Sequence, residues 1–404
     1  MRNLLFLAHR IPFPPNKGDK IRSWHFLSHL AERYRVHVGA FVDDPFDWQY
    51  TNRIEEIAES TCFLPLSRRS GLVRALPGLL TGRPLTTGYY RDARMRRWVS
   101  DLAAEVPLDG VFAFSSPMMR YVPRPLAPAA RVVADFVDVD SDKWRQYAER
   151  KSWPASLIYA REARTLLAEE RRLAAKADAV TFVSEQEAAL FRALAPDVAD
   201  RVHAVRNAVD IHDFDPDAPL SPPFETTDPN LVFTGAMDYW ANVDAVCWFA
   251  EDILPRIRER SPGCRFWVVG AHPAPEVRRL VQLPGVEVTG RVEDVRPYIR
   301  FADVSVVPIR VARGIQNKVL EAMAMARPVV TTPQALEGID ARPGRDLSVA
   351  DDAAGFAQCV LDVMTGARGE TMGASARRRV EAEYAWPASF ARLDTLFEGE
   401  RAAA

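Results

Sequence analysis

Cysteine is scarce: the 404 residues hold four, Cys62, Cys247, Cys264 and Cys359, far apart and with no C-x-x-C. That excludes a disulfide scaffold and a cysteine-rich zinc module, and it fits a reducing compartment. Long apolar runs are missing too; none reaches the ~18–20 residues of a membrane span. Met1–Ala8 is apolar but gives way at once to His9-Arg10, without the length or small-residue cleavage site of a signal peptide. It reads as a first buried strand, and the protein as cytoplasmic. Neither sign of charge dominates: Lys+Arg 52 stands against Asp+Glu 54, a net −2. No nucleic-acid partner is expected, because such binders carry a domain-wide basic excess. There is no internal repeat and no low-complexity tract. No G-x-G-x-x-G follows a strand, which disfavours a dinucleotide oxidoreductase.

What is present is a recurrent alternation. Short apolar runs of strand length fall at Leu4–Ala8, Val36–Val42, Cys62–Leu66, Gly110–Phe114, Arg131–Phe136, Ala179–Val183 and Val202–Arg206. Further along they fall at Leu231–Thr234, Arg265–Val269, Val286–Thr289, Val304–Pro308 and Pro328–Thr331. Runs without alternation predict strands buried on both faces, hence parallel sheets. The spacers suit crossover helices, for example Lys20–Arg33 and Val243–Arg260. The fold class expected is α/β, with two Rossmann-like, doubly wound parallel-sheet domains facing across a cleft. The stretch Ile211–Asn230 holds five prolines and few large apolar residues, the composition of a connector. The expected domains are therefore 1–215 and 231–387 with a linker at 216–230. Residues 388–404, with Phe390, Leu393 and Phe397 at helical spacing, are expected to pack back on one of the sheets.

In such sheets ligands sit beyond the carboxyl ends of the strands. After the strand ending at Pro308 come Gly314, Ile315, Lys318 and Glu321, then Ala322-Met-Ala and Pro328-Val-Val. A helix opening near Ile315 offers free N–H groups and a partial positive charge, which suit a phosphate. Lys318 stands in its first turn, against the helix dipole, as a residue serving a ligand anion does. Glu321 falls on the same face at i+3 and is able to accept two sugar hydroxyls while the lysine meets a diphosphate. The alternative is a surface Lys–Glu pair.

Gly314-x-x-x-Lys318-x-x-Glu321-Ala-Met-Ala-x-x-x-Pro328-Val-Val resembles the nucleotide-sugar signature of family 4 glycosyltransferases, which have the GT-B fold. Phe233-Thr-Gly235-Ala-Met-Asp-Tyr-Trp-Ala-Asn242 resembles the first strand–loop–helix of their donor domain. Phe266-Trp-Val-Val-Gly270 and Val288-Thr-Gly290-Arg291-Val292 resemble its next two strand ends, and Arg206-Asn207-Ala208-Val209-Asp210 their interdomain segment. At the start, Arg10-Ile-Pro-Phe-Pro-Pro-Asn-Lys-Gly18-Asp19-Lys20-Ile-Arg22 resembles the acceptor-side glycine loop. The likeness runs nearly end to end. It is closest to the sugar transferases associated with exosortase/PEP-CTERM exopolysaccharide loci.

The resemblance implies sugar transfer from a nucleotide-diphosphate sugar to a glycan or polyprenyl-linked acceptor, with retention at the anomeric carbon. No metal or resident cofactor is implied. Residues 1–215 become the acceptor side and 231–387 the donor side. Glu321 would bind ribose; Gly235, Lys318 and the Gly314–Ile315 amides the diphosphate, with Arg310 or Arg313 as helpers; backbone at Arg291–Val292 the base. Gly18 and Asp19 would face the transferred sugar or the acceptor. Three positions depart from the pattern. Arg313 stands where many relatives carry a second glutamate. Met237 and Asn242 occupy the stretch that often holds Arg and Lys. Ala326-Arg327 replaces the glycine before Pro-Val-Val. A nucleotide-sugar epimerase of the same shape, or a non-catalytic nucleotide-sugar-binding protein, are the competing readings.

On the first half, Gly18 lets backbone come close to a ligand, and Arg22 follows one turn on. Asp135-Phe-Val-Asp138-Val-Asp140 follows a strand, so its carboxylates are expected at the ligand edge. Relatives often place a histidine near this strand end, and Asp138 is the first candidate for that role, Asp135 the next. Asp138, Lys318 and Asp19 are thus the candidate catalytic residues. His25 and His29 share a helix face, read as packing or hydrogen bonding. Ser184 reads as a helix N-cap. Glu162, Glu169 and Glu170, interleaved with arginines, read as a solvated, ion-paired face. Residues 68–97 carry eight arginines against one acid, a net +7, with Leu72, Val73, Leu76, Leu79 and Leu80 among the first of them. Basic and apolar residues together suit an anionic bilayer, so one reading is peripheral contact with the inner face of the cytoplasmic membrane; the other is an ordinary exposed helix pair.

Overall fold

The apolar runs become strands because each is buried along most of its length. A computed structural model of the chain describes residues 2–150, 152–226, 228–311, 315–364 and 367–399. It divides into two compact units, Met1–Arg206 with Phe390–Ala404, and Asn207–Ser389.

Unit 1 is built on β1 (Arg2–Ala8), β2 (Tyr34–Val42), β3 (Ser60–Pro65), β4 (Gly110–Phe114), β5 (Arg131–Val137), β6 (Ala179–Phe182) and β7 (Val202–Ala204). They form one sheet in the order β3-β2-β1-β4-β5-β6-β7, every pair parallel. The core residues Leu5, Leu7, Val111, Ala113 and Val132 are buried between the flanking helices. Unit 2 carries β8 (Asn230–Thr234), β9 (Arg265–Val269), β10 (Val286–Gly290), β11 (Val304–Val307), β12 (Val329–Thr331) and β13 (Ser348–Val349). The order is β10-β9-β8-β11-β12-β13, again parallel throughout.

In both sheets the winding reverses beside the first strand, between β1 and β4 and between β8 and β11. Chain leaving the carboxyl ends there opens a crevice in which ligands of such sheets bind. Gly18 and Asp19 follow β1; Gly235 follows β8; Lys318 and Glu321 follow β11.

The twelve strands read from the sequence match these elements to within a few residues at their ends; the two-residue β13 was not anticipated. The helix expected at Val243–Arg260 is helical from Trp240 to Arg260, with a widened π turn over Phe249–Ile253. Pro255 explains the widening: it has no N–H to give to the preceding turn, and its ring crowds the carbonyl there. The proline-rich stretch is part of unit 2. Phe224 packs on Trp267 and Tyr298, and Arg300 donates to the Pro216 carbonyl. The last helix, Trp386–Glu398, joins unit 1 from Phe390 onward. There Phe397 meets Tyr34 and Phe112, and His29 stacks on Phe390 at 4.2 Å and bonds Asp394. Among the described residues no helix is long and apolar enough to cross a membrane.

Candidate functional site

In unit 2 the loops after β8 and β9 are locked together first. Gly235 N–H donates to the Val269 carbonyl and Met237 N–H to the Ala271 carbonyl. A Cβ on Gly270 would overlap the Gly235 carbonyl oxygen, so glycine is required for this approach. Against this paired loop leans the helix Asn317–Ala324, which follows β11. Its Lys318 reaches back so that Nζ lies 2.7 Å from Asn242 Oδ1 and 4.1 Å above the centre of the Phe233 ring. Asn242 is oriented by its own amide, which donates to the Ala236 carbonyl at 2.8 Å. A Cβ on Gly235 would come 2.8 Å from Asn242 Nδ2 and 2.9 Å from Lys318 Nζ. Gly235, Asn242 and Lys318 thus converge at the crevice.

The electrostatics suit an anion. Burial pulls the Lys318 ammonium down to about 7, only partly offset by Glu321. Burial likewise lifts Glu321 to about 7, against the pull of Lys318. Among the described residues, the hydrogen-bond acceptor for this ammonium is a neutral amide. A cation so placed gains when an anionic ligand arrives.

The other donor-side candidates are placed variously. Ile315 is buried in the unit 2 core. Gly314 and Arg313 lie outside the described residues. Arg310, expected to help with the diphosphate, is spent elsewhere: Nε and Nη2 bond Asp244 at 3.0 and 2.6 Å, and its guanidinium lies 5.0 Å over Trp248. Arg291 follows β10, with Nη2 3.1 Å from His272 Nε2. Val292 packs against the small cluster of Val232, Val269 and Ala302. His272 holds a left-handed φ of 56° at the end of β9, a conformation uncommon for a residue with a Cβ.

In unit 1, Gly18 is exposed and opens the helix Gly18–Ala31. Asp19 accepts from Arg10 Nη1 at 2.5 Å and lies 3.3 Å from His9 Nε2; Arg10 also bonds Asp43 at 2.9 Å. Burial alone would raise the Asp19 carboxyl, but Arg10 and His9 overcome it and hold it well below the usual range. Such a carboxylate stays ionised and accepts hydrogen bonds; it is a poor proton acceptor. Arg22 and Asp135, expected at the acceptor, are instead fully buried and bond each other at 2.6 Å. Neither side chain reaches the surface, so both position elements: they pin the helix Gly18–Ala31 to β5.

Asp138 stands beyond β5 with Lys143 Nζ at 2.8 Å; the same ammonium lies 3.1 Å from Asp140. The turn that presents it is tightly held. Val137 has a φ of 71°, rare for a β-branched residue. Glu187 accepts from Val139 N–H at 2.7 Å and Glu170 from Ser141 N–H at 3.3 Å. Burial, ahead of nearby carboxylates, pushes Glu170 up to about 8 and Glu187 up to about 7. The solvated, ion-paired face expected at Glu162, Glu169 and Glu170 holds for Glu169, which pairs with the exposed Arg172, and is corrected for the other two. Glu162 and Glu170 are buried, because backbone amides of neighbouring segments take their oxygens: Leu85 and Thr86 for Glu162, Ser141 for Glu170. Ser184 caps its helix, accepting from Glu187 N–H. No group of three or more His, Cys, Asp or Glu able to hold a metal occurs among the described residues.

Sequence reasoning flagged Asn242 only as a departure and missed its role as the lysine's holder. It missed Phe233, Glu187 and His272 as well. The left-handed φ of His272, two residues past Gly270, has no signal in the sequence.

Residues 228–366, about a third of the chain, match the family model described as Glycosyl transferases group 1. No curated protein matches the sequence. Solved structures match over the full length. Sucrose-phosphate synthase from Thermosynechococcus elongatus superposes with a TM-score of 0.72 at 16% identity, covering 100% of both chains. HepE from Anabaena, solved in complex with UDP and glucose, gives 0.66 at 15% identity, covering 99% of this chain and 100% of that one. WaaG, a glycosyltransferase involved in lipopolysaccharide biosynthesis, gives 0.65 at 16%, covering 98% and 100%. The chain has the two-domain α/β fold seen in GT-B glycosyltransferase structures.

Proposed function

We propose that the protein is a glycosyltransferase that moves a sugar from a nucleotide-diphosphate sugar to a glycan or polyprenyl-linked acceptor. The observation that carries this is the convergence of Lys318, Asn242 and Gly235 at the β8/β11 crevice, with Glu321 one turn beyond the lysine. UDP in the HepE structure and the group 1 match of residues 228–366 support the same reading. Lys318 would meet the diphosphate, Glu321 the ribose hydroxyls, and the segment at Arg291–Val292 the base.

The bond from the anomeric carbon to the diphosphate breaks through an oxocarbenium-like state, and the acceptor oxygen takes its place. The acceptor proton ends on the departing diphosphate. The work of the protein is to neutralise charge developing on that leaving group, the task of Lys318, and to orient the acceptor hydroxyl. Asp19 and Asp138 are candidates for the second task as hydrogen-bond acceptors. Retention at the anomeric carbon and a place in exopolysaccharide synthesis belong to this proposal, as does a cytoplasmic location. No cofactor or metal enters it.

A thermal-shift panel of UDP-, GDP- and ADP-sugars tests it, since a ligand bound to the native state raises its melting temperature. Stabilisation by one nucleotide class, lost in Lys318→Ala, is expected. No stabilisation by any of them would overturn the reading. Epimerised nucleotide sugar formed without an acceptor would favour the epimerase, and binding with neither transfer nor hydrolysis the non-catalytic protein.

A further inference from the structure

The helix Arg68–Ala75 is packed with its small residues inward and its large ones outward. Gly71 and Ala75 are buried, whereas Leu72 and Val73 are 55% and 65% exposed, and Leu76 just beyond is 57% exposed. The inward face cannot be larger: a Cβ on Gly71 would collide with the Tyr89 ring. A helix in a globular protein normally turns its bulky apolar side to the core. This one is held in the reverse sense.

A second apolar group is fastened beside it. The helix Ala155–Ala174 begins near Trp153, which is 76% exposed, and presents Leu157 and Ile158 at 62% and 47%. One turn further on the face of Ile158 and Leu157, Arg161 Nη2 donates to the Gly78 carbonyl at 2.5 Å and the Arg83 carbonyl at 3.2 Å. Glu162 accepts from Leu85 N–H and Thr86 N–H at 2.8 Å each. These bonds tie the start of one helix to the segment that follows Leu76. The side chains of Leu79 and Leu80 lie outside the described residues.

The charge along 68–97 is of one sign, and the exposed acid nearest Trp153 in sequence, Glu149, is paired with Arg145. Arg68, Arg69 and Arg83 are exposed, and the one acid in 68–97, Asp92, is bonded to Arg94. Both apolar segments also lie past carboxyl ends of strands, 68–90 after β3 and 153–158 after β5. That is the rim that carries Gly18 and Asp138, and Tyr90 meets the His9 ring edge-on at 5.7 Å.

We infer that Leu72, Val73, Leu76, Trp153, Leu157 and Ile158, ringed by arginines, form a docking surface for an anionic phospholipid bilayer. Apolar side chains of this size enter the headgroup–acyl boundary while arginines above them pair with lipid phosphates. A second copy of the chain fits less well, since like-charged rims would meet. The surface sets the acceptor-side rim of unit 1 toward the lipid. The inference stands apart from the donor site, and the two are read by separate assays.

The test is flotation of the full chain with vesicles of phosphatidylcholine alone or with about 30 mol% phosphatidylglycerol. Binding is expected with the anionic vesicles and little with the neutral ones, and it should weaken as salt shortens the Debye length. Leu72→Ser/Leu76→Ser/Trp153→Ser should lower the affinity about tenfold or more, and Arg68→Glu/Arg69→Glu should erase the preference for anionic lipid. All five positions are exposed, so melting temperature and nucleotide-sugar binding should stay at wild-type values. Wild-type protein that ignores anionic vesicles, or a triple variant that binds them undiminished, would overturn the inference. So would a wild-type dimer that the triple variant turns into a monomer without any vesicle binding.

Discussion

Arg22 and Asp135 in unit 1 and Lys318 and Glu321 in unit 2 are charged pairs near the carboxyl rim of a parallel sheet, the first fully buried and the second partly so, and they are handled in opposite ways. The first two are sealed and bonded directly to each other. Lys20 and Asp47 repeat that arrangement at 2.7 Å, and Asp19 is driven far into its ionised form by Arg10 and His9. In unit 2 the lysine rests on a neutral amide and a ring face, and it and its glutamate are drawn from opposite sides toward neutrality, each to about 7. A sealed pair holds elements in register and lies out of a ligand's reach. A charge given only a neutral partner is incomplete until something anionic comes. The state of the partner, together with depth of burial, separates a structural charge from a ligand-seeking one.

Removing one member from each pair should break this symmetry. Arg22→Ala strands the Asp135 carboxylate in the core and should cost about 3–5 kcal/mol of unfolding free energy in urea melts; Arg22→Met with Asp135→Leu should recover most of it. Lys318→Ala takes a donor from Asn242 Oδ1 and a cation from beside Glu321 but seals no ionised group in the core, so it should cost less than about 1.5 kcal/mol while lowering sugar transfer by about 10²–10³-fold. A large stability loss in Lys318→Ala would erase the distinction. Glu321→Gln keeps the shape and one acceptor oxygen, and should raise donor KM about tenfold with a smaller change in turnover. Because the carboxyl is already half-protonated near 7, the gap between Glu321 and Gln should widen from pH 6 to pH 8.

The remaining effect is one of pH. The Lys318 ammonium is lowered from 10.5 to about 7 in the folded protein. Above that value the folded lysine is neutral, and a diphosphate must recruit a proton to be bound. Nucleotide-diphosphate affinity should therefore fall with rising pH above 7, by up to about tenfold per unit. Calorimetry in buffers of different ionisation enthalpy should show proton uptake on binding. Affinity flat from pH 7 to 9 would place the lysine away from the ligand.

Local signals carried the sheet architecture and half of the candidate site. Buried parallel strands announce themselves as unbroken apolar runs, and a lysine against its helix dipole four residues from a glycine is a short-range pattern. What stayed hidden depends on partners distant in sequence. Asn242 is 76 residues from the lysine it holds, and Asp135 is 113 from Arg22. Charge spacing on the helix of Glu162 and Glu170 looked like a solvated face, because nothing nearby in sequence reveals that the amides of Leu85, Thr86 and Ser141 would claim those oxygens. The sheet that receives the last helix was left open for the same reason; aromatic spacing says that Phe390 and Phe397 pack, not where.

The destination of that helix has a consequence for how the protein is made. Leu393 and Phe397 are buried against unit 1, and Phe397 crowds Gly110 so closely that a Cβ there would lie 3.2 Å from its ring. The amino-terminal unit therefore lacks part of its interior until residues 390–397 have been made, while the second has all of its own residues by Ser389. Completion of the interior runs against the order of synthesis, and a chain cut before Leu393 leaves the amino-terminal unit with an open seam where Leu393 and Phe397 would pack.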